Sequence, residues 1–193
     1  MNRRDACKAV VGLGFWLPAT GHGADADPVI ANAPPQNGDW LVFAYGEREG
    51  ELITPVDVSI EAKPLFAFPM DPDTKTVKNA SRLNQVLVKR IDPESMTDET
   101  RERSADSIVA YSAVCTHTGC DITGWDRDAH RFQCPCHESQ FDPADSANVV
   151  GGPAPWQLAA LPLQIVDGML AVAGDFVGRV GFQQPGTDPF AFR

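Results

Sequence analysis

The stretch CPCHESQFD, residues 134–142, places two cysteines and one histidine within four positions and follows them with a serine. Upstream, CTHTGC at residues 115–120 offers the same kinds of donor atom. Each stretch supplies one cysteine and one histidine, namely Cys115 with His117 and Cys134 with His137. Each also carries a second cysteine, Cys120 or Cys136. Clustering of this kind indicates a site, because a disulfide framework spreads its cysteines along the chain.

Two metal centres suit a set of two cysteines and two histidines. Zinc would bind all four donors in a tetrahedral structural site. A [2Fe–2S] cluster would take two cysteines on one iron and two histidines on the other. The spacing of the donors does not separate these two centres.

The two stretches resemble the ligand loops of the Rieske iron–sulfur family. The family pattern is Cys-Thr-His-x-Gly-Cys followed by Cys-Pro-Cys-His-x-Ser, and here Thr118 and Glu138 occupy the two variable positions. The likeness extends over roughly residues 107–173. We refer to residues 115–120 as the first ligand loop and to residues 134–139 as the second ligand loop.

This resemblance implies one [2Fe–2S] cluster per chain and names its ligands. The implied ligands are Cys115 and Cys134 for a buried iron, and His117 and His137 for an outer iron. The two remaining loop cysteines, Cys120 and Cys136, would form a disulfide that ties the loops together. The resemblance therefore favours the cluster over zinc.

Two of the residues that follow the second histidine, Ser139 and Phe141, bear on the redox potential that the resemblance implies. Ser139 stands where family members donate a hydroxyl hydrogen bond to the cluster, and such a bond raises the potential because it favours the reduced state. Phe141 stands where many high-potential members carry a tyrosine, and phenylalanine has no hydroxyl to donate. We expect a midpoint potential below that of the tyrosine-bearing members, in the upper half of the Rieske range of about −150 to +300 mV.

The stretch GGPAP, residues 151–155, resembles the proline loop of the same family, and we call it the covering loop. The residues expected to cover the cluster on a third side are Gly152, Pro153, Ala154 and Pro155. A rigid, dry cover limits the access of solvent, which affects the potential and protects the sulfur atoms.

Hydrophobic patterning predicts strands over residues 40–46, 64–70, 84–92, 107–114 and 130–133, and a β-hairpin over 161–174 that turns at Asp167-Gly168. The charged segment 92–106 predicts a short exposed helix. Residues 27–39 are expected to be an irregular leader. Together with the resemblance, these strands predict an all-β fold, a Rieske-type antiparallel β-sandwich with a small cluster-binding subdomain.

We expect one Rieske domain over residues 40–180, with the cluster-binding subdomain at about 112–156 and a C-terminal tail at 181–193. The segment 64–106 is interpreted as an elaboration of the base of this domain. Its apolar residues expected in the core are Phe66, Phe68 and Met70. His130 is interpreted as a surface residue at a strand edge.

Residues 1–26 have the features of a twin-arginine-type signal peptide. Two adjacent arginines precede an uncharged, mostly apolar run of 11 residues at 9–19, and ADA at 24–26 fits a signal-peptidase site. As a helix this run would span about 17 Å, against about 30 Å of hydrocarbon in a bilayer. We expect cleavage, which would also remove Cys7, and a periplasmic protein that is soluble or peripherally membrane-associated. An uncleaved N-terminal anchor is the alternative.

The net charge of −10 argues against nucleic acid as a partner. A Rieske oxygenase needs a second iron held by two histidines and a carboxylate, and no histidine follows His137, so this class is excluded. We expect one-electron transfer with redox partner proteins and no substrate chemistry of the chain's own. It would be a carrier to a cytochrome c, or the small subunit of an oxidase of the arsenite-oxidase kind. The alternative is the membrane-anchored iron–sulfur subunit of a quinol–cytochrome c oxidoreductase, which takes electrons from quinol.

Overall fold

Ten β-strands make two antiparallel sheets in residues 27–182, the part of the chain that this computed structural model describes. The larger sheet has the order β4-β3-β2-β1-β10-β9, with β1 (Trp40–Phe43), β2 (Leu65–Met70), β3 (Val86–Arg90), β4 (Ile108–Ser112), β9 (Leu163–Val166) and β10 (Met169–Val172). The smaller sheet has the order β5-β6-β7-β8, with β5 (Gly124–Asp126), β6 (Arg131–Gln133), β7 (Gln140–Asp142) and β8 (Asn148–Gly151). The predicted all-β class is confirmed. The proposed signal peptide and nearly all of the proposed tail lie outside the described residues.

Helical structure between residues 27 and 182 is limited to short pieces. They are α1 (Pro28–Asn32), α2 (Asp98–Glu102) and the 3₁₀ turns Pro55–Asp57 and Arg82–Asn84. The helix expected in the charged segment is confirmed by α2, whereas α1 corrects the expectation of an irregular leader. Asp27 caps α1 by accepting a hydrogen bond from the backbone N–H of Val29 at 2.8 Å, with Pro28 in the first turn. Neither helix in this range has the length and apolar character needed to cross a membrane.

The hairpin of β9 and β10 turns where the sequence predicts it. Asp167 and Gly168 have φ angles of 51° and 80°, and a two-residue turn with both central residues in the left-handed region matches the twist of the flanking strands. The strands β5, β7 and β8 were not predicted. With three or four residues each, they are too short to display a period of two.

The segment 64–106 is an integral part of the larger sheet, which corrects its interpretation as an elaboration. It supplies β2 and β3, and β2 pairs with β1 along four residues. Phe68 and Met70 are buried and Phe66 is half-buried against the same cluster. Their assignment to the core is therefore confirmed for the first two and partly for the third.

A buried ion pair holds the leader against this segment. The ammonium of Lys78 lies 2.6 Å from the carboxylate of Asp39, and both side chains are almost fully enclosed. Lys78 also donates to the carbonyl of Pro34 at 3.2 Å, and Asp39 accepts from the backbone N–H of Gln36 at 2.7 Å. Each charge thus has a second polar partner, as buried charges require.

The two ligand loops leave different sheets and meet over a shared core. All five residues of β4 are buried, and this strand runs directly into the first ligand loop. The second ligand loop connects β6 to β7. Beneath both loops, Tyr111 of β4 and Phe132 of β6 pack edge to face in one hydrophobic cluster, which fixes the two sheets relative to each other.

Candidate metal centre

The first ligand loop is closed by backbone hydrogen bonds across its base. The backbone N–H of Cys115 donates to the carbonyl of Cys120 at 2.8 Å, and the N–H of Gly119 donates to the carbonyl of Cys115 at 3.0 Å. Gly119 has a φ of 81°, a conformation that glycine adopts without strain. The result is a tight loop in which Cys115 is fully buried and His117 is half-buried.

The second ligand loop is closed in a similar way. The backbone N–H of Cys134 donates to the carbonyl of Ser139 at 2.9 Å, and the N–H of Glu138 donates to the carbonyl of Cys134 at 3.0 Å. Cys134 is buried, whereas His137 is exposed. Both loops therefore direct a thiol inward and an imidazole toward the surface.

The two imidazoles converge on one point. The Nδ1 atoms of His117 and His137 are 3.2 Å apart, and the rings are nearly perpendicular at 86°. Two nitrogen ligands bound at 2.0–2.1 Å to one tetrahedral ion stand about 3.3 Å apart. The separation of the two Nδ1 atoms therefore fits joint coordination of a single metal ion.

The buried thiols are suited to a metal on chemical grounds. The pKa of the Cys115 thiol is raised to about 11, chiefly because the thiol is buried; the neighbouring sulfur of Cys134 also acts to raise it, whereas the backbone N–H of His117 acts to lower it. A thiol in this environment stays protonated at neutral pH unless a cation stabilises its thiolate. Together with the converging imidazoles, this donor set fits a centre that binds two thiolates inside and two imidazoles outside.

A disulfide joins Cys120 to Cys136, with their Cα atoms 6.5 Å apart. It links the first ligand loop to the second, as the resemblance implies. The sulfur atoms of these two residues and of Cys134 all lie within 4.8 Å of one another. This trio is not a metal site, because two of its sulfur atoms are bonded to each other and are not thiolates.

The covering loop packs directly against the second ligand loop. Gly152 has a φ of 78°, and a Cβ atom at this position would lie 2.5 Å from the Cα of Ser139 and 2.8 Å from the carbonyl oxygen of Glu138. Only glycine permits this approach. Ala154 is buried, whereas Pro153 and Pro155 are exposed, so the inner face of the cover is formed by the alanine.

Ser139 connects this cover to the thiols. Its hydroxyl oxygen accepts a hydrogen bond from the backbone N–H of Ala154 at 3.1 Å. The hydroxyl also acts to lower the pKa of the Cys115 thiol. Phe141 is fully buried and packs in the same hydrophobic cluster as Cys115 and Cys134. The structure thus brings together both residues expected to tune the site.

Two residues near the site were not identified from the sequence. The hydroxyl of Thr116 donates to the carbonyl of Trp156 at 2.6 Å, which ties the first ligand loop to the chain just after the covering loop. A threonine between the two expected ligands of the first loop was a signal for such a role that the sequence already contained. Arg82 donates to the carbonyl of Gly119 at 2.6 Å across 37 positions of sequence, and no local pattern indicates that contact. His130 is exposed, as expected, and its ring lies edge-on to Trp125.

Comparison with known proteins matches residues 74–162 to the Rieske [2Fe-2S] domain. The chain is 37% identical over 135 residues to the cytochrome bc1 complex Rieske iron-sulfur subunit of Streptomyces lividans, a match that covers 68% of this chain and 79% of that protein. It is 46% identical over 80 residues to the putative respiratory nitrate reductase subunit Rieske of Haloferax mediterranei, covering 41% of this chain and 34% of that protein.

The chain also matches other Rieske subunits of bc1 complexes, but it spans well under half of their length. Among solved structures, the plasma membrane Rieske protein PetC3 of Synechocystis PCC 6803 aligns with a TM-score of 0.42 at 23% identity, covering 63% of this chain and 95% of that one.

Proposed function

This chain belongs to the Rieske [2Fe–2S] family, and we propose that its two ligand loops hold the cluster of a one-electron carrier. Cys115 and Cys134 would bind the inner iron, and His117 and His137 the outer iron. The observation that carries this assignment is the 3.2 Å approach of the two Nδ1 atoms beside two buried thiols. When bound, the cluster supplies a centre that accepts and releases one electron at a time.

The chain's own residues would insulate one side of the centre and present the other. Burial of both cysteines keeps water from the inner ligands, and the disulfide and covering loop hold the ligand loops together. The exposed His137 and the half-buried His117 would form the face that a partner approaches. Electron transfer with a partner protein at this face is the function that the geometry supports best.

For the setting, we infer a periplasmic protein that is soluble or peripherally membrane-associated and exchanges electrons with a cytochrome c or a catalytic oxidase subunit. Its short N-terminal apolar run and Phe141 support this reading. The name of the Streptomyces lividans relative supports a second candidate, a membrane-anchored iron–sulfur subunit that takes electrons from quinol.

The two candidates differ in the N-terminus of the protein made in its native cell. Mass analysis of that protein would test them. A chain that begins at residue 27 and is released from membranes by salt would support the first candidate. An intact segment 1–26 in a protein that requires detergent for release would support the second and overturn the first.

Ser139→Ala is expected to lower the midpoint potential. A hydrogen bond to a charged acceptor contributes about 1.5–3 kcal/mol, which corresponds to roughly 60–130 mV for one electron if the bond forms fully only in the reduced state. Redox titration followed by EPR checks this. Ser95→Ala, which alters an exposed serine, should leave the potential unchanged. A Ser139→Ala protein with an intact cluster and the wild-type potential would contradict the assigned hydrogen bond.

Phe141→Tyr is expected to shift the potential in the opposite direction. The ring is buried in the cluster of side chains that includes Cys115 and Cys134, and we take one of these two sulfur atoms as the acceptor of the added hydroxyl. A rise of tens of millivolts is expected on the same scale as for a charged hydrogen bond. Phe43→Tyr, in the larger sheet, is the matched control. A potential that falls or stays constant in Phe141→Tyr would refute the role given to this position.

A further inference from the structure

Cys134 lies beside a disulfide as well as beside the other expected ligands. Its sulfur atom is within 4.8 Å of the sulfur atoms of both Cys120 and Cys136, which are bonded to each other. The side chain of Cys134 is 1% exposed. This disulfide is therefore an oxidised partner that the buried sulfur can reach without leaving its loop.

We propose that, whenever the cluster is absent, Cys134 exchanges with the Cys120–Cys136 disulfide. The thiol of Cys134 gives up its proton to solvent as its sulfur attacks the Sγ atom of Cys120, a Cys120–Cys134 bond forms, and the Cys120–Cys136 bond breaks. The electron pair of the broken bond stays on the sulfur of Cys136, which takes up a proton. The four loop cysteines hold one disulfide and two thiols before and after the step, so no external oxidant or reductant is needed.

The chain connectivity and the exposure of the leaving thiol favour this product over the other one. Attack on Cys136 instead would close a small ring through Cys134-Pro135-Cys136, and the fixed φ of the proline limits the geometries open to such a disulfide. Attack on Cys120 releases Cys136, whose side chain is exposed, whereas Cys120 is half-buried. The released thiol is then the one that water can solvate.

The exchange would set an order of assembly for the protein. With its sulfur bound to iron, Cys134 has no free thiolate for the attack, so a bound cluster protects the native disulfide. After exchange, one of the four ligands is consumed and the cluster cannot be inserted. Once its disulfide has formed, the chain can therefore receive its cluster only until the exchange takes place. This inference rests on the ligand role proposed for Cys134.

The test uses the full chain with Cys7→Ser, which removes the fifth cysteine. The cluster is removed anaerobically with an iron chelator, and the protein is kept without thiol reagents. Samples are denatured in acid, free thiols receive one alkylating label, and disulfide cysteines receive a second label after reduction. Fragmentation mass spectrometry then identifies the labelled residues. The loaded protein is expected to carry the first label on Cys115 and Cys134, and the cluster-free protein on Cys115 and Cys136.

Two variants separate the proposed exchange from general scrambling. The Cys115→Ser variant should lack the cluster but still contain Cys134, so most of its free-thiol label should appear on Cys136. In Cys134→Ser, Cys136 should stay in its disulfide. The proposal would be overturned if, in the cluster-free Cys7→Ser protein, the free-thiol label were still found on Cys134. It would also be overturned if that label were spread evenly over all four loop cysteines.

Reconstitution with ferrous iron and sulfide gives a second readout. Cluster-free protein that has been aged should take up little iron until it is first reduced, whereas freshly prepared protein should take up iron directly. Equal uptake by aged and fresh samples would contradict the exchange. The iron content and EPR signal of the loaded starting protein test the proposed function separately, so a failure of one is not mistaken for a failure of the other.

Discussion

Cys115→Ser is expected to yield a folded protein that holds almost no iron. Serine is nearly the same size as cysteine, and the backbone bonds of Cys115 to Cys120 and Gly119 do not involve its side chain. A serine hydroxyl stays protonated at neutral pH and is a poor substitute for a thiolate on iron, because soft sulfur donors are what iron–sulfur clusters require. Since the position is fully buried, water cannot supply the missing ligand.

Iron analysis and visible absorption of the purified variant measure this loss. Cys7→Ser, compared in full-length protein that keeps residues 1–26, is the matched control, since it makes the same chemical change outside the proposed ligand set and should leave the iron content at the wild-type value. A Cys115→Ser protein with two irons per chain and an unchanged spectrum would exclude Cys115 as a ligand.

Lys78→Met is expected to destabilise the protein strongly. It leaves the carboxylate of Asp39 buried without its cation, and breaking a buried ion pair from one side costs about 3–5 kcal/mol. At a slope of about 2 kcal/mol per molar urea, the unfolding midpoint should fall by roughly 2 M. Urea unfolding of the loaded protein, followed by fluorescence, measures the shift.

The double variant Asp39→Leu with Lys78→Met distinguishes the lost charge balance from lost packing. Removing both charges should recover much of the stability, because an apolar pair of similar volume can replace a buried ion pair. Lys63→Met, at an exposed position, should change the free energy of unfolding by no more than about 0.5 kcal/mol. A Lys78→Met protein as stable as Lys63→Met would show that the pair contributes nothing to the fold.

The candidate metal centre could be located from the sequence because the residues that form it lie close together along the chain. Each ligand loop brings its cysteine and histidine to the same place through a closed turn, so spacing along the chain translates into position in space. Ser139 and the covering loop follow the same logic. The strands β1 to β4 and the hairpin of β9 and β10 were also predictable, because each lies within a longer stretch of sequence in which the apolar pattern is visible.

What could not be predicted depends on contacts between distant residues. Lys78 lies in a stretch that reads as a polar loop, yet it is among the most enclosed side chains of residues 27–182, because its partner is 39 positions away. The contact of Gly152 with Ser139 depends on how the covering loop is placed against the second ligand loop. The leader forms α1 because Asp27 caps it, although its proline and asparagine content favours an irregular chain.

The most direct test of the metal centre is an EPR spectrum of the dithionite-reduced protein, with iron and zinc analysis of the same sample. The account predicts two irons per chain and a rhombic signal with the low average g value of a histidine-ligated [2Fe–2S] cluster. One zinc per chain, no iron and a silent spectrum would contradict it, and would make Cys115, His117, Cys134 and His137 the ligands of a structural zinc ion instead.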